Sequence, residues 1–244
     1  METTQNIFHP ANERGYADHG WLQARHSFSF AGWYDPDKVH FGVLRVLNDD
    51  IVAQGMGFPT HPHDNMEIIT IPLKGGVYHE DNMGNSGEIK AGEVQVMSAG
   101  TGVMHSEYNK NADEELNLFQ IWIFPNQRNV QPRYDQQKIQ DEGLENSWVQ
   151  IVSPNADDAG VWIHQNAWIH KGHVSKDKSI SYTNKRDGNG SYLMVIEGKV
   201  NVDGIELGKR DAIGVPESKE IQITALEDSK VLLLDVPMNL EENA

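Results

Sequence analysis

Hydrophobic residues in this 244-residue chain recur with a period of two, and this alternation constrains the fold more than any other feature. A strand turns successive side chains to opposite faces, so alternation over short runs predicts half-buried strands, whereas a helix needs a period near 3.6. The runs are bounded by Gly, Asn, Asp or Pro, which are the usual turn residues. The strand candidates are residues 39–47, 67–73, 93–97, 116–124, 192–196, 221–224 and 231–236. The sequence therefore predicts an all-β fold of barrels or sandwiches, with at most a turn or two of helix within 132–145.

A weak internal repeat divides the chain into two parts. The segment Leu73–Val77 resembles Ile196–Val200, and Leu118–Pro125 resembles Leu232–Pro237. Matching segments in the same order predict two β-domains of one architecture. We place these domains at residues 1–135 and 136–244, with a Gln-, Asn- and Asp-rich linker near residues 126–147.

The charge and the cysteine count exclude several classes of function. The chain has no cysteine, which rules out disulfides, thiolate metal ligands and a cysteine nucleophile, and leaves 11 histidines as the reactive side chains of interest. Its formal net charge of −16 repels phosphate backbones and anionic membrane surfaces, so no direct binding of nucleic acid or membrane is expected. The segment Met1–Gly15 lacks a basic start followed by an apolar run, which favours a cytoplasmic protein.

Two pairs of metal-binding residues carry the chemistry of this sequence. His61 and His63 are two residues apart, as are His105 and Glu107, and residues two apart on a strand share a face. If the two segments meet across a barrel, three imidazoles and one carboxylate converge. Such a set suits a divalent first-row metal, namely Fe(II), Mn, Ni, Co, Cu or Zn. Glu67 has the same strand parity as the two histidines before it and is an alternative fourth ligand.

The residues around these pairs follow two known motifs. Five residues separate Gly55 from His61-x-His63, and Glu67 and Gly75 follow, which resembles the first motif of the cupin superfamily with one extra residue before the last glycine. The segment Gly92–Asn109 resembles the second cupin motif, with Ser98 in place of proline and two added residues before His105.

The chain as a whole resembles the pirin family, and bacterial pirin-like proteins with quercetin 2,3-dioxygenase activity in particular. The resemblance covers about residues 9–134 and extends to the two-domain layout. Its segments are Asn12–Gly15, His19–Leu22, His26–Phe30, Leu44–Asp50, His61–Ile68, Met97–Asn109, Gln120–Ile123 and Pro132–Tyr134.

The resemblance implies a bicupin, that is, two β-barrel or jelly-roll domains packed together. It places the metal ligands on His61, His63, His105 and Glu107, moves the carboxylate away from Glu67, and leaves that residue as a candidate to fix the tautomer of a ligand. It further implies a divalent metal, with Fe(II) as the ion we most expect. One metal per chain is expected, because the second repeat has Ile221 and Ile223 where the first has His105 and Glu107.

The implied activity is metal-dependent cleavage of flavonols such as quercetin by dioxygen, giving a depside and carbon monoxide. Glu107 would then act both as a ligand and as the catalytic proton acceptor. The alternative that the family offers is a metal- or redox-sensing protein that binds a protein partner, and a sugar-phosphate isomerase is a third and weaker hypothesis.

Acidic residues and histidines outside these motifs have simpler structural interpretations. Asp49 and Asp50 are expected to be solvated loop charges, and His79, which follows a glycine turn, is expected to face solvent. His170 and His173 form a possible second site, but capping or surface positions are the commoner roles of such histidines.

Overall fold

The computed structural model describes residues 6–217 and 220–240. The cytoplasmic prediction depends on Met1–Gly15, and the first five residues of that segment lie outside the described residues. The described part is built from 22 strands and one 3-10 turn, Ala11–Glu13. The strands are β1 (Ile7–His9), β2 (Gly15–Asp18), β3 (Leu22–His26), β4 (Leu44–Val52), β5 (Gly57–His63), β6 (Glu67–Lys74), β7 (Gly76–Asp81), β8 (Ser86–Lys90), β9 (Glu93–Ser98), β10 (Val103–Tyr108), β11 (Leu116–Ile123), β12 (Arg133–Lys138), β13 (Ser147–Ser153), β14 (Val161–Trp162), β15 (Trp168–Val174), β16 (Ser179–Thr183), β17 (Asn189–Glu197), β18 (Val200–Val202), β19 (Ile205–Leu207), β20 (Ala212–Val215), β21 (Glu220–Ala225) and β22 (Ser229–Pro237). The all-β prediction is confirmed.

The strands form two similar halves, each with a large and a small sheet. The first half has a seven-stranded sheet in the order β12-β9-β6-β11-β4-β3-β2 and a four-stranded sheet in the order β5-β10-β7-β8. The second half repeats this with β1-β20-β17-β22-β15-β13-β14 and β16-β21-β18-β19. The internal repeat of the sequence falls on equivalent strands of the two halves. Its first pair of segments spans the turn from β6 to β7 and the turn from β17 to β18. Its second pair lies on β11 and β22.

The largest core lies between the two seven-stranded sheets. It contains Ile69 and Phe119 from the first half together with Tyr192 and Leu234 from the second, all fully buried. Because side chains alternate along a strand, the opposite face of each large sheet lines the interior of its own half. The interior of the second half is apolar, with Leu193, Val195 and Leu233 among its residues.

The interior of the first half contains two apolar clusters and a set of buried polar residues. One apolar cluster, which includes Val77, Ile89 and Leu118, fills one part, and a smaller cluster around Met97 fills another. Buried polar residues lie on the same strands, among them Asp50, Thr70, His79, Gln95, His105, Glu107 and Gln120. Burying this many polar groups costs free energy unless they are paired or bind a ligand, so this interior is where a functional site is expected.

Two expectations about chain segments are corrected by the fold. The segment 132–145 forms β12 and turns instead of helix, because β12 pairs with β9 at the edge of the first large sheet. Asp49 and Asp50 are not solvated loop charges, because they lie on β4 between β3 and β11. Asp49 contacts Arg210 of the second half through its Oδ2 at 2.7 Å, and Asp50 is buried in the first half.

The division of the chain at residue 135 stays a prediction. The strand β12 runs across this position, and β1 pairs with β20 of the second half. Within the described residues, no helix is long and apolar enough to cross a membrane.

Candidate metal centre

Antiparallel pairing of β5 with β10 brings the predicted histidines together. His61 lies opposite His105, and His63 lies opposite Val103. The Nε2 atoms of His61 and His105 are 3.0 Å apart. The ring of His63 lies 4.8 Å from that of His61 and 4.9 Å from that of His105. One ligand atom from each of the three histidines lies within 4.8 Å of the others, so all three could contact a single ion.

Glu107 is not part of the cluster formed by the three histidines. A register shift in the pairing of β10 with β5 falls between His105 and Glu107, and Glu107 is only 3% exposed. A carboxylate oxygen of Glu107 lies within 4.8 Å of ligand atoms of His105 and His79, and these three residues form a second cluster. Thr70 Oγ1 donates to Oε1 of Glu107 at 3.2 Å, and Gln120 Nε2 donates to its Oε2 at 2.9 Å. His105 therefore belongs to both clusters and joins Glu107 to the other two histidines.

Burial sets the protonation of these groups. Burial, together with the neighbouring histidines, lowers the pKa of His63 to about 4 and that of His105 to about 2. These imidazoles are therefore neutral near pH 7 and can offer a lone pair to a metal. Burial raises the pKa of Glu107 to about 7, against the hydrogen bonds from Thr70 and Gln120. A cation beside Glu107 would favour its ionised form.

A chain of hydrogen bonds behind His105 fixes the tautomers. His79 Nε2 lies 3.0 Å from Asp81 Oδ2 and donates to it. The Nδ1 atom of His79 is then an acceptor for Nδ1–H of His105, at 3.4 Å. This leaves Nε2 of His105 without a proton and facing the cluster. A carboxylate behind a histidine is the usual way in which proteins orient metal ligands.

The same reasoning applies to His61 and tests whether these residues fit a metal. Its Nδ1–H donates to the Pro59 carbonyl at 2.8 Å, so its Nε2 also carries a lone pair. Two lone pairs 3.0 Å apart repel each other unless a cation lies against both. Two nitrogens bound at right angles to one ion, each about 2.1 Å from it, are about 3.0 Å apart. The donors present therefore fit a divalent transition metal.

A cavity of about 320 Å³ opens beside the cluster. Phe30, Phe58 and Trp122 line its apolar side, and His61, His63 and Glu107 reach it from the cluster. Its polar part is formed by Asn48, Asp50 and Gln120. A mostly apolar pocket with a few placed polar groups is typical of a site for a small organic molecule.

Two expectations about individual residues are wrong. His79 does not face solvent, since it is fully buried. Its strand β7 pairs with β10, so that His79 lies opposite Glu107 and points into the same interior. The signal that sequence reasoning missed is the pair His79 and Asp81, which are two residues apart and therefore share a face.

Glu67 does not orient a ligand histidine. The chain turns after His63, with Asn65 at φ 44°, so strand parity is not carried from β5 into β6. Glu67 lies on the face of β6 that also carries Ile69 and packs toward the second half. Ser98 Oγ donates to its Oε2 at 2.7 Å. Thr70, on the other face of β6, is the residue that contacts Glu107.

The second half carries other residues at the equivalent positions. Tyr182 lies opposite Ile221 as His61 lies opposite His105. Ile223, which pairs with Val202, takes the position of Glu107, as the sequence predicts. His170 is buried in this half against Trp148 and Tyr182.

The hydrogen-bond chain behind His105 gives a first testable prediction. Replacing His79 with Phe removes the acceptor of His105 Nδ1–H, and we expect metal affinity to fall by about 10- to 100-fold, the usual effect of such a partner. Titration of the apoprotein with Ni²⁺ or Mn²⁺ measures the change. His173→Phe, on β15 of the second half, is the control and should bind metal as wild type does. Unchanged affinity in a folded His79→Phe variant would contradict the role given to His79.

Comparisons with known proteins match both halves of the chain. The sequence model of the family described as Pirin matches residues 7–123, and that of the Quercetinase C-terminal cupin domain matches residues 150–236. The chain is 41% identical to quercetin 2,3-dioxygenase of Escherichia coli K12 over 227 residues, which is 93% of this chain and 96% of that protein. It is also 41% identical to a pirin-like protein of Caulobacter vibrioides over 93% of this chain and 97% of that one.

Solved structures match the fold over nearly the whole chain. The crystal structure of YhhW from Escherichia coli has a TM-score of 0.91 at 40% identity and covers 96% of this chain and 99% of that chain. A structure of the bacterial pirin YhhW in complex with nickel(II) has a TM-score of 0.90 at 40% identity and covers 96% of this chain and all of that chain. The predicted two-domain cupin fold is thereby confirmed.

Proposed function

Because this chain belongs to the pirin family, we propose that it is a metal-dependent dioxygenase that cleaves flavonols such as quercetin with dioxygen. The relative from Escherichia coli, which is 41% identical over 93% of this chain, is named quercetin 2,3-dioxygenase. The observation that carries the proposal is the joint presence of three converging imidazoles, a buried carboxylate and an adjoining aromatic cavity. Such a combination can hold an ion and an aromatic substrate side by side.

We assign the metal to His61, His63, His105 and Glu107. The first three present ligand atoms to one point, and Glu107 lies next to His105. Fe(II) is the ion we propose, with Mn, Ni, Co, Cu and Zn as ions that the same donor set accepts. The nickel(II) complex of the related pirin supports a divalent metal in this family. When bound, the metal supplies Lewis acidity and a place for substrate oxygen and dioxygen to meet.

Residues of this chain orient the substrate and accept its proton. Phe30, Phe58 and Trp122 offer flat apolar surface on which a planar flavonol can pack, and this packing excludes water from the site. Glu107 takes the proton of the substrate 3-hydroxyl, because its carboxylate lines the cavity and a bound cation would keep it ionised and able to accept a proton. Thr70 and Gln120 hold that carboxylate in place.

The test is a flavonol assay on protein of known metal content. Protein loaded in turn with Fe, Mn, Ni, Co or Cu is mixed with quercetin in air, and the flavonol absorbance and carbon monoxide release are followed. We expect loss of absorbance that requires both dioxygen and metal, that ends after chelation and that returns when the metal is restored. Elemental analysis should give one metal per chain.

The alternative hypothesis gives a different result. If none of the five metals supports oxygen-dependent loss of quercetin, the dioxygenase proposal fails, and a metal-sensing protein with a protein partner becomes the better explanation. A stoichiometry of two metals per chain would contradict the single site.

A further inference from the structure

Asp50 is a buried carboxyl in the substrate cavity that the mechanism above does not use. It lies on β4, is 4% exposed, and lines the same cavity as Glu107 and Trp122. Its cross-strand neighbours are the apolar residues Ala24 and Leu118. A carboxyl among apolar side chains at this depth calls for an explanation.

The hydrogen bonds of Asp50 are incomplete. Among the described residues its Oδ1 has no partner, although the atom is buried. The adjacent Asp49, which points to the other face of β4, contacts Arg210 at 2.7 Å and Asn117 at 2.8 Å. Glu107 has Thr70 and Gln120. A buried oxygen without a partner is destabilising unless a ligand or a water satisfies it.

The surroundings of Asp50 select the chemistry of that ligand. Burial, together with the nearby Asp49 and Glu107, raises the pKa of Asp50 to about 8, and Arg14 acts in the opposite direction. These like charges would repel a carboxylate or a phosphate. A phenolic hydroxyl can donate to the ionised carboxyl or accept from the protonated one, so it suits Asp50 in either state.

We propose that Asp50 binds a ring hydroxyl of the substrate, distinct from the 3-hydroxyl that faces the metal, and so selects polyhydroxylated aromatic substrates. The inference rests on the proposed function for the orientation of the substrate, but its hydrogen bond can be measured without turnover. A site built to bind a hydroxyl discriminates strongly against an analogue that lacks it, because the buried polar group is then left without a partner.

The test compares two ligands and two variants. Quercetin carries ring hydroxyls besides the 3-hydroxyl, whereas 3-hydroxyflavone carries none, so this pair isolates the hydrogen bond. Asp50→Leu removes the polar atoms with little change of shape beside Ala24 and Leu118, and Asp50→Asn keeps both a donor and an acceptor. Dissociation constants are measured on Ni²⁺-loaded protein under argon, by calorimetry or flavonol fluorescence.

The expected result is selective. Asp50→Leu weakens quercetin binding by roughly 10- to 100-fold and changes 3-hydroxyflavone binding by less than about twofold, as expected for loss of one hydrogen bond to a buried group. Asp50→Asn recovers most of the quercetin affinity. Both variants should melt at or above the wild-type temperature, because they remove a carboxyl with like-charged neighbours.

Other outcomes overturn the inference. Equal weakening of both ligands in a folded Asp50→Leu variant means that the residue only shapes the cavity, and no weakening means that it does not contact the ligand. Failure of wild-type protein to bind quercetin also contradicts it. If binding discriminates as expected but quercetin is not oxidised in air, the dioxygenase proposal fails while the role of Asp50 stands.

Discussion

A His105→Ala variant is expected to lose its metal and, with it, nearly all turnover. His105 is the one residue shared by the two clusters of ligand atoms, since it groups with His61 and His63 on one side and with His79 and Glu107 on the other. Removing it leaves no imidazole between Glu107 and the histidines of β5. Loss of a metal that contributes about 4 kcal/mol to the transition state lowers the rate by roughly 10³-fold.

The measurement has two parts, metal content by elemental analysis and quercetin turnover at saturating substrate. His170→Ala is the matched control, because His170 is 4% exposed and His105 is 2% exposed, and His170 lies in the second half. The control should keep one metal per chain and wild-type turnover, even if it melts at a lower temperature. A folded His105→Ala protein that keeps its metal would contradict the ligand assignment.

The strands and the shared face of His61 and His63 were predictable from sequence because both depend on short-range periodicity. Alternating runs predict strands, and His61 and His63 share a face whichever barrel they are in. The pairing of β5 with β10 then brings His105 opposite His61. The internal repeat predicted the second half, whose equivalent strands have the same order in their sheets.

The surrounding residues were not predictable because strand parity is lost at turns. Asn65, with φ 44°, lies between His63 and Glu67, so Glu67 is on the opposite face from the one that parity predicts. His79 follows a glycine turn, and only the pairing of β7 with β10 shows that it points inward.

Asp49 and Asp50 show a second limit of sequence reasoning. Two adjacent acidic residues favour a solvated loop, yet here the two side chains lie in separate environments on the two faces of β4, and Asp50 is buried. Asp49 contacts Arg210, which is 161 residues away in the chain. Asp50 faces the cavity. Such long-range partners leave no local pattern, and a buried charge in the middle of a strand can be recognised only once the neighbouring strands are known.

A Glu107→Gln variant tests the chemistry rather than the assembly of the site. Glutamine keeps the shape of the side chain and can still contact Thr70 and Gln120, but it cannot accept the proton of the substrate hydroxyl. We expect kcat to fall by about 10²- to 10⁴-fold, the usual contribution of a positioned acid or base. Metal affinity should fall as well, so turnover is measured at saturating metal and corrected for metal content.

Glu67→Gln is the matched control for this variant. Both carboxyls are buried, with exposures of 1% for Glu67 and 3% for Glu107, and burial raises the pKa of each to about 7. They lie on different sheets and have different neighbours, since Glu67 on β6 contacts Ser98 and Glu107 on β10 lies next to His105. If Glu67→Gln lowers kcat equally, the effect is one of buried charge and not of proton transfer. If Glu107→Gln retains its metal and full turnover, Glu107 is not the proton acceptor, and the substrate must lose its proton to another group of the cavity.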